Sequence, residues 1–506
     1  MALSTPIAPG TKHPGFYIRL DLKGSQLGAG GGGLWILMLA PTNAADGDLT
    51  PDTEIRQVFG PDEGIVSHGA GGQGHLTLKA IFRRWPNAKV FVGAPTASAG
   101  ATATETQTIT GTANENTVIR TTVSGRIFDT NWANGESDAT FRTRRIAQIN
   151  AATNDCPVIA SAGAGAGETD LDAKQAGVWG NDVLISQEIL EGGGGLTVDT
   201  NPTSLAGGTL EPDYSTILDL AKTTEYTAIL PALSNADAAL AGATSNGDRT
   251  RVHIDTYIEG LDALLQTACI GHTGAIADVK TGAIDRNSEY MWMPYGKNWQ
   301  SLPCELAGAE VGDALRWASE RANYNRIDND HDGLYGPVDQ VADKLTQNQG
   351  EDLLNNGVTP LNITPTGDPY LVAPITTHST ESGVPDDRAY HLGDTLAVII
   401  VARDVRAAVK LKFKNVSIAE DLPADAEPYP AGVNERRDVE AFIASRINTI
   451  WTRNGVVDRN RFAAAREAGT FAVEINPNDG SEVNFHLPLG IIKPLAKFGA
   501  TVSKTF

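Results

Sequence analysis

The stretch "YSTILDLAKTTEYTAILPAL" (residues 214–233) decides the fold, because it reads as a helix, "YSTILDLAK", feeding a strand, "YTAILPAL". The same rhythm continues downstream. Helix "VHIDTYIEGLDALLQT" (252–267), strands "ACIGHTG" (268–274) and "YMWMPYG" (290–296), and helix "AEVGDALRWASERAN" (309–323) follow in turn. Upstream, strand "LWILMLA" (34–40), helix "HLTLKAIFRRW" (75–85) and strand "AKVFVGAP" (88–95) form a β-α-β unit. Strands alternating with helices of this length predict a mostly parallel sheet covered by helices.

Other patterns interrupt that rhythm. From about Thr96 to Thr197 the chain is rich in Thr, Ala and Gly, with "TQTITGT", "VIRTTVSG" and "NDVLISQEI" as strands and "DATFRTRRIAQINAA" as a helix. This predicts a small β-rich domain inserted into another. From about Gly367 an α+β pattern begins. "PYLVAPITTHST" and "RAYHLGDTLAVIIVARDVRAAVKLKF" read as strands, "RRDVEAFIASRINTIWTRNG" as a helix and "GTFAVEINP" as a strand before the terminal "VNFHLPLGIIKPL". The expected divisions are an N-terminal arm and strand (1–22), a first core segment (23–95), the insert (96–197), an α/β domain (198–366) and a C-terminal α+β domain ending in a linking strand (367–506).

A chain of 506 residues is too long for one core, and roughly two to four domains are expected. Its longest apolar runs, "LWILMLA" and "LAVIIVA" (396–402), fall far short of the roughly 18 residues that span a bilayer, so no membrane insertion is expected. The opening "MALSTPIAPGTKHPG" lacks the apolar centre of a secretory signal. A formal net charge of -21 argues against nucleic acid as a partner. The acidity is uneven: Val401 to Phe506 carries 15 basic and 13 acidic side chains, so this part faces a different partner. Cys156, Cys269 and Cys304 show no metal-ligand spacing. They read as buried small hydrophobes or as an odd set that forms inter-subunit disulfides in an oxidising exterior.

Three patterns invite a chemical reading. In "RIDNDHDGLYGPVDQ" (326–340), Asp328, Asp330, Asp332, the Leu334 carbonyl and Asp339 fall where a twelve-residue calcium loop puts its ligands. Asp339 is shorter than the usual closing Glu, and Asp, Asn and Gly also crowd solvated turns for local reasons; the acidic turn is the simpler reading. "HGAGGQG" (68–74) spaces Gly69, Gly71 and Gly74 as a dinucleotide loop would before a helix, but the following strand ends in "VGAPT" with no acidic residue for the ribose. A glycine-rich turn is therefore expected, with no cofactor. Histidines are available as bases, yet no G-x-S-x-G elbow, H-E-x-x-H or Walker pattern nominates catalytic residues.

In order along the chain, "PGFYIRLDL", "FGP", "FRRWPNAKVFVGAP", "GVWGNDVLI", "LAGGTLEPDYSTILDLAKTTEYTAILPAL", "GVPDDRAYHLGDTLAVIIVARDVRAAVKLKF", "NGVVDRNRF" and "VNFHLPLGIIKPL" resemble the tail sheath protein of Mu-type contractile-tail bacteriophages. The resemblance implies a multidomain α/β and α+β chain: an inner α+β domain from both chain ends, a central non-catalytic α/β region of subtilisin-like fold, and the inserted β-rich domain facing outward. It implies a structural protein, not an enzyme. Six copies would form a ring, and rings would stack helically around a tail tube, with baseplate and tail terminator proteins as further partners. The location implied is the virion tail, assembled in the host cytoplasm, and the action is contraction that drives the tube through the host envelope for DNA ejection. Sheaths of bacteriocins or other contractile injection systems share these expectations. The chain ends would complete neighbouring sheets through Phe16, Tyr17, Ile18 and Leu20, and through Phe485, Leu487 and Leu489. The basic helix nominates Arg436, Arg437, Arg446 and Arg453 for the tube contact. Residues 297–349, with the acidic loop, exceed the family pattern.

Overall fold

The computed structural model describes residues 34–43, 46–199, 202–258, 264–321, 329–331, 333–386, 390–414, 416–423, 425–476 and 479–488. Phe16, Tyr17, Ile18, Leu20, Asp328, Asp332 and Leu489 lie outside them.

The described chain opens with β1 (Trp35–Leu39), β2 (Ile55–Val58), α1 (Glu63–His68), α2 (Gln73–Arg84) and β3 (Lys89–Gly93). It then departs into an insert: β4 (Thr104–Gly111), β5 (Thr117–Val123), β6 (Arg126–Trp132), α3 (Asp138–Ala151), β7 (Val158–Ala162), β8 (Glu168–Ala173), β9 (Leu184–Glu191), β10 (Leu196–Val198) and β11 (Thr203–Ser204). Here polar and apolar residues alternate, and in β5 the side chains of Thr117, Ile119, Thr121 and Val123 turn inward while those between them are less buried. Two four-stranded sheets result, β10-β4-β8-β7 and β11-β9-β5-β6. They enclose a small core in which Trp132 stacks on Phe141 of α3 at 4.4 Å.

The chain returns through α4 (Ser215–Ala221), β12 (Ala228–Pro231), α5 (Asn235–Ala239), α6 (Asn246–Ile258), β13 (Thr267–Cys269), α7 (Ile276–Arg286) and β14 (Met291–Trp292). These strands join the first segment in one sheet of order β14-β13-β12-β1-β3-β2. β1 lies parallel between β3 and β12, with Leu37 opposite both Phe91 and Ile229, and β2 adds an antiparallel edge. Ile36 to Ala40 and Ala228 to Leu230 are fully buried, which explains why these strands read as unbroken apolar runs rather than alternating ones. The resemblance groups the first core segment with the C-terminal region; its described strands instead supply half of this central sheet, since an apolar strand like β1 needs a partner on each edge.

After β15 (Pro294–Tyr295), α8 (Pro303–Arg321) begins at a proline, which suits a first helical position because its missing N–H would be unpaired there anyway. Glu305 reaches back to accept from the Leu302 N–H. α8 lies directly on α2: a Cβ at Gly308 would come within 2.8 Å of the Thr77 carbonyl, and one at Gly312 within 2.9 Å of the Ile81 carbonyl. The two glycines thus set the distance between the helices.

The remainder comprises β16 (Asn329–Asp330), α9 (Gln347–Asn355), β17 (Thr359–Ile363), β18 (Pro369–Leu371), β19 (Thr380–Glu381), β20 (Val384–Pro385), α10 (Leu392–Lys412), β21 (Ser417–Ala419), β22 (Val433–Glu435), α11 (Arg436–Arg446), a π-helical turn (Ile447–Thr452), α12 (Arg459–Glu467), β23 (Ala472–Asn476) and β24 (Asp479–His486). One expectation fails outright: "LGDTLAVIIVARDVRAAVKLK", expected as strand, is the 21-residue helix α10. Leu392 to Ala402 are buried on every side, so the run carries no 3.6-residue period, and its length should have decided for a helix.

Candidate functional site

In an open parallel sheet, ligands bind beyond the carboxyl ends of the strands where the strand order reverses. Here that point lies between β1 and β12, whose connections run to opposite sides of the sheet. The chain's own side chains fill it. Gln175, from the insert, donates to the Pro41 carbonyl just past β1 at 2.9 Å and accepts from the Gln73 N–H at 2.9 Å. Gln73 donates to the Ala232 carbonyl past β12 at 2.9 Å, and the buried Tyr214 hydroxyl donates to the same oxygen at 2.8 Å. The "HGAGGQG" turn leads into the start of α2, where a pyrophosphate would sit. That place is taken by Gln175 on the first helical N–H and by Lys174, whose ammonium donates to the Ala70 carbonyl at 3.0 Å. Gly71, at φ +68°, is needed because a Cβ there would come within 2.3 Å of the Cys156 carbonyl. The glycines serve the close seating of the insert.

Beside this crevice lies a cluster of carboxyls. Asp182 accepts from the Asn235 N–H at 2.8 Å and its side-chain amide at 3.0 Å, and Glu211 bonds to the Ser234 hydroxyl. Burial pushes the Asp182 carboxyl up to about 7. Burial, with the nearby Asp237 and Asp182 charges, pushes Glu211 up to about 8 against the lowering effect of Ser234. Asp237 is also raised by burial although Asn246 donates to it from both its N–H and its amide. Arg286, buried beside α5, donates to the Ala238 and Gly282 carbonyls at 2.7 and 2.8 Å and lies 3.8 Å from Asp248. Burial takes His272, nearby on the β13 side, down to about 3. Perturbed groups of this kind often mark active sites. Here the carboxyls' partners are amides and hydroxyls that tie Asp182 of the insert to Asn235, and Glu211 to Ser234, a structural joint.

The acidic stretch is fastened from within. His331, fully buried, places Nε2 2.9 Å from Glu310 and Nδ1 3.4 Å from Asp313 on α8, and Arg84 of α2 pairs with Asp313 at 2.6 Å. The residue between the two aspartates is thus a plug that seats the loop on the α2–α8 pair. Asp330 lies in β16, paired with Tyr370 of β18. Asp339 is exposed, and its carboxylate accepts from the Ala342 and Val341 N–H groups at 2.8 and 2.9 Å, which holds its pKa below the usual carboxylate range. That is the local turn bonding expected of a solvated acidic turn.

Cys156, Cys269 and Cys304 are free and buried, and burial raises each thiol, Cys304 to about 12. All three cysteines are at most 2% exposed in the folded chain. Of the basic candidates, Arg446 grips Asp404 with both arms, at 2.9 and 2.5 Å, while the Trp451 indole donates to the same carboxylate at 3.0 Å. Arg436 bonds Asp421, Glu440 and the Val473 carbonyl, and Arg437 pairs with Glu435 at 2.8 Å. Arg453 is exposed. Near the C-terminus, Phe485 pairs opposite Val473 inside the β23–β24 hairpin, and Leu487 packs against the core. Among the described residues, sequence reading had missed His331, Asp182 and Glu211 as joints; His331 stood in plain view inside the acidic stretch.

No family model and no curated protein matches the chain. Solved structures similar to it include the sheath tail protein Lin1278 from Listeria innocua, at 13% identity over 91% of this chain and 93% of that one, with a TM-score of 0.46. The anti-feeding prophage helical sheath in its contracted state is similar at 10% identity over 98% and 99%, with a TM-score of 0.47. A chain of the anti-feeding prophage baseplate structure is similar at 10% identity over 98% and 100%, with a TM-score of 0.49. Similarity this distant carries no function across by itself.

Proposed function

We propose that this chain is the structural subunit of a contractile sheath. Copies assemble as stacked hexameric rings around a tail tube, capped by baseplate and terminator proteins, and shortening of the lattice drives the tube through an envelope for DNA ejection. The observation that carries this reading is the order of the sheath-like segments along the chain: "FRRWPNAKVFVGAP" runs into the insert, "GVWGNDVLI" and "LAGGTLEPDYSTILDLAKTTEYTAILPAL" run out of it, and they carry β3 and β12, the two neighbours of β1. The filled crevice at the strand ends supports the same reading, since its polar groups are engaged in holding the insert. Such a lattice needs no nucleotide. Its extended state stores the free energy released as many small contacts between copies re-form. The chain ends join neighbouring copies by strand addition, Phe16 to Leu20 as a donated strand and the segment Phe485 to Leu489 through the outer edge of β24, whose inner edge pairs with β23 of the same chain, and such pairing survives rigid rotation of the subunits if the linkers bend.

Negative-stain microscopy of the purified chain tests this. Rings or tubes support it, and deletions up to Gly15 or after Leu487 should leave folded single copies. Uniform single copies of the full chain at concentrations where sheaths polymerise, or unaltered tubes from both deletions, would contradict it.

A further inference from the structure

We propose that His378, Glu381 and Asp386 form a binding site for a first-row divalent cation of the zinc class, clipping the segment that leads from the central sheet into α10. The three side chains belong to one short hairpin. β19 and β20 pair Thr380 with Pro385 and Glu381 with Val384, and the turn between them places Ser382 and Gly383 at φ +52° and +78°. Both turn residues at positive φ match the tight hairpin turn whose twist suits the flanking strands. The pairing continues one step outward through the Asp386 N–H to the Ser379 carbonyl at 3.0 Å, which brings His378 beside Asp386.

One donor atom from each of the three residues lies within 4.8 Å of the others, and His378 Nε2 stands 3.1 Å from Asp386 Oδ2. With ligand distances of about 2.1 Å, neighbouring donors in a tetrahedral site stand about 3.4 Å apart, so the His378 and Asp386 atoms already have that spacing. Glu381 closes the set by a side-chain rotation of about 1 Å. The His378 and Asp386 side chains are only 3% and 6% exposed, while Glu381 is half-buried at the mouth. One imidazole with two carboxylates is a donor set for zinc, cobalt or manganese rather than for calcium, which prefers oxygen alone. Two convergent carboxylates repel, and one doubly charged cation offsets both.

The location gives the cation a mechanical consequence. Asn287, the residue capping α7, accepts from the Ser379 and Thr380 N–H groups at 2.9 and 3.1 Å and donates to the Thr380 carbonyl at 2.8 Å. On the other side, the Thr377 N–H bonds the Met291 carbonyl of β14 at 2.7 Å, and the Thr376 N–H bonds the Tyr390 carbonyl just before α10. A bound cation would therefore fix the angle at which α10 leaves the central sheet. Glu381 and Asp386 take part in further interactions, so the cation competes with existing partners and does not fill a void.

The test is calorimetric titration of the metal-free full chain with zinc chloride, paired with cobalt chloride titration followed by visible absorption. The expected result is one cation per chain, a ligand-field spectrum for cobalt, and a zinc-dependent rise in melting temperature. Glu381→Gln and Asp386→Asn should each weaken binding by about tenfold or more, and His378→Asn should abolish the cobalt spectrum. Because His378 is buried and its variant could misfold, Glu381→Gln at the mouth is the deciding substitution. Absence of binding at tens of micromolar zinc, or binding that Glu381→Gln and Asp386→Asn leave unchanged, would overturn the proposal.

Discussion

Replacing Glu211 by Gln should reverse the sign of the pH dependence of stability that the folded chain carries between pH 6.5 and 8. Glu211 rises from 4.5 to about 8 and Asp182 from 3.8 to about 7, chiefly by burial. A carboxyl whose folded pKa is raised binds its proton more tightly when folded. Its contribution to stability is therefore complete below the unfolded pKa and is lost as pH rises through the folded one. Between pH 6.5 and 8, Glu211 alone should lower stability by about 1.6 kcal/mol and Asp182 by about 0.8 kcal/mol. The buried histidines have the opposite sign: His68, His75 and His253 fall from 6.5 to about 4 and His272 to about 3, so their contribution is present above 6.5 and lost on acidification. At pH 6.5 the unfolded histidines are still half protonated, so the four together regain about 1.6 kcal/mol between pH 6.5 and 8 and offset part of the carboxyl loss. Urea unfolding of the dilute chain, followed by tryptophan fluorescence at pH 6.5 and 8, checks this. The native chain should lose about 0.8 kcal/mol across that interval, whereas Glu211→Gln should gain about 0.8 kcal/mol. The same change in both would refute the account of the joint.

The three cysteines should react with a thiol reagent only on unfolding, and assembled particles should run as one monomer band on non-reducing gels; a ladder that collapses with reductant would place a sulfur at the surface. Arg446→Met strands Asp404 in the interior and should cost about 3 kcal/mol of stability, with Asp404→Asn in the same chain recovering part of it; additive losses would mean that the pair is not coupled. A calcium-selective chelator should shift the melting temperature of assembled sheath by no more than Asp328→Ala does, which is little; a large drop abolished by that substitution would make the acidic stretch a metal site.

How far the sequence disclosed this depended on whether a feature was local. The strands around Leu37 and Ile229 declared themselves through unbroken apolar runs, and α3 matched its expected start at Asp138, where Ser137 accepts from the Thr140 N–H. α10 did not, because a helix buried all round erases the period that distinguishes it from a strand. The start of α8 was placed six residues late, since Pro303 reads as a breaker unless its first-turn use is recognised. Contacts between distant segments were invisible. Gln175 reaches Pro41 across 134 positions, and His331 meets α8 only through the tertiary fold. The basic helix was visible as a charge pattern, but the carboxylates that engage Arg436 and Arg446, Asp421 and Asp404, precede those arginines by 15 and 42 residues. The His378 cluster was hidden because its three members belong to a hairpin whose register the sequence alone did not specify.

Contraction itself is tested most directly by helical reconstruction of sheath particles by cryo-electron microscopy before and after triggering. The account predicts one chain in two lattices: the central sheet, α2 and α8 superpose unchanged between them, while the rise per ring shortens and the terminal strands stay paired with neighbouring copies. A single lattice under both conditions, or shortening accompanied by rearrangement of the central sheet, would contradict it.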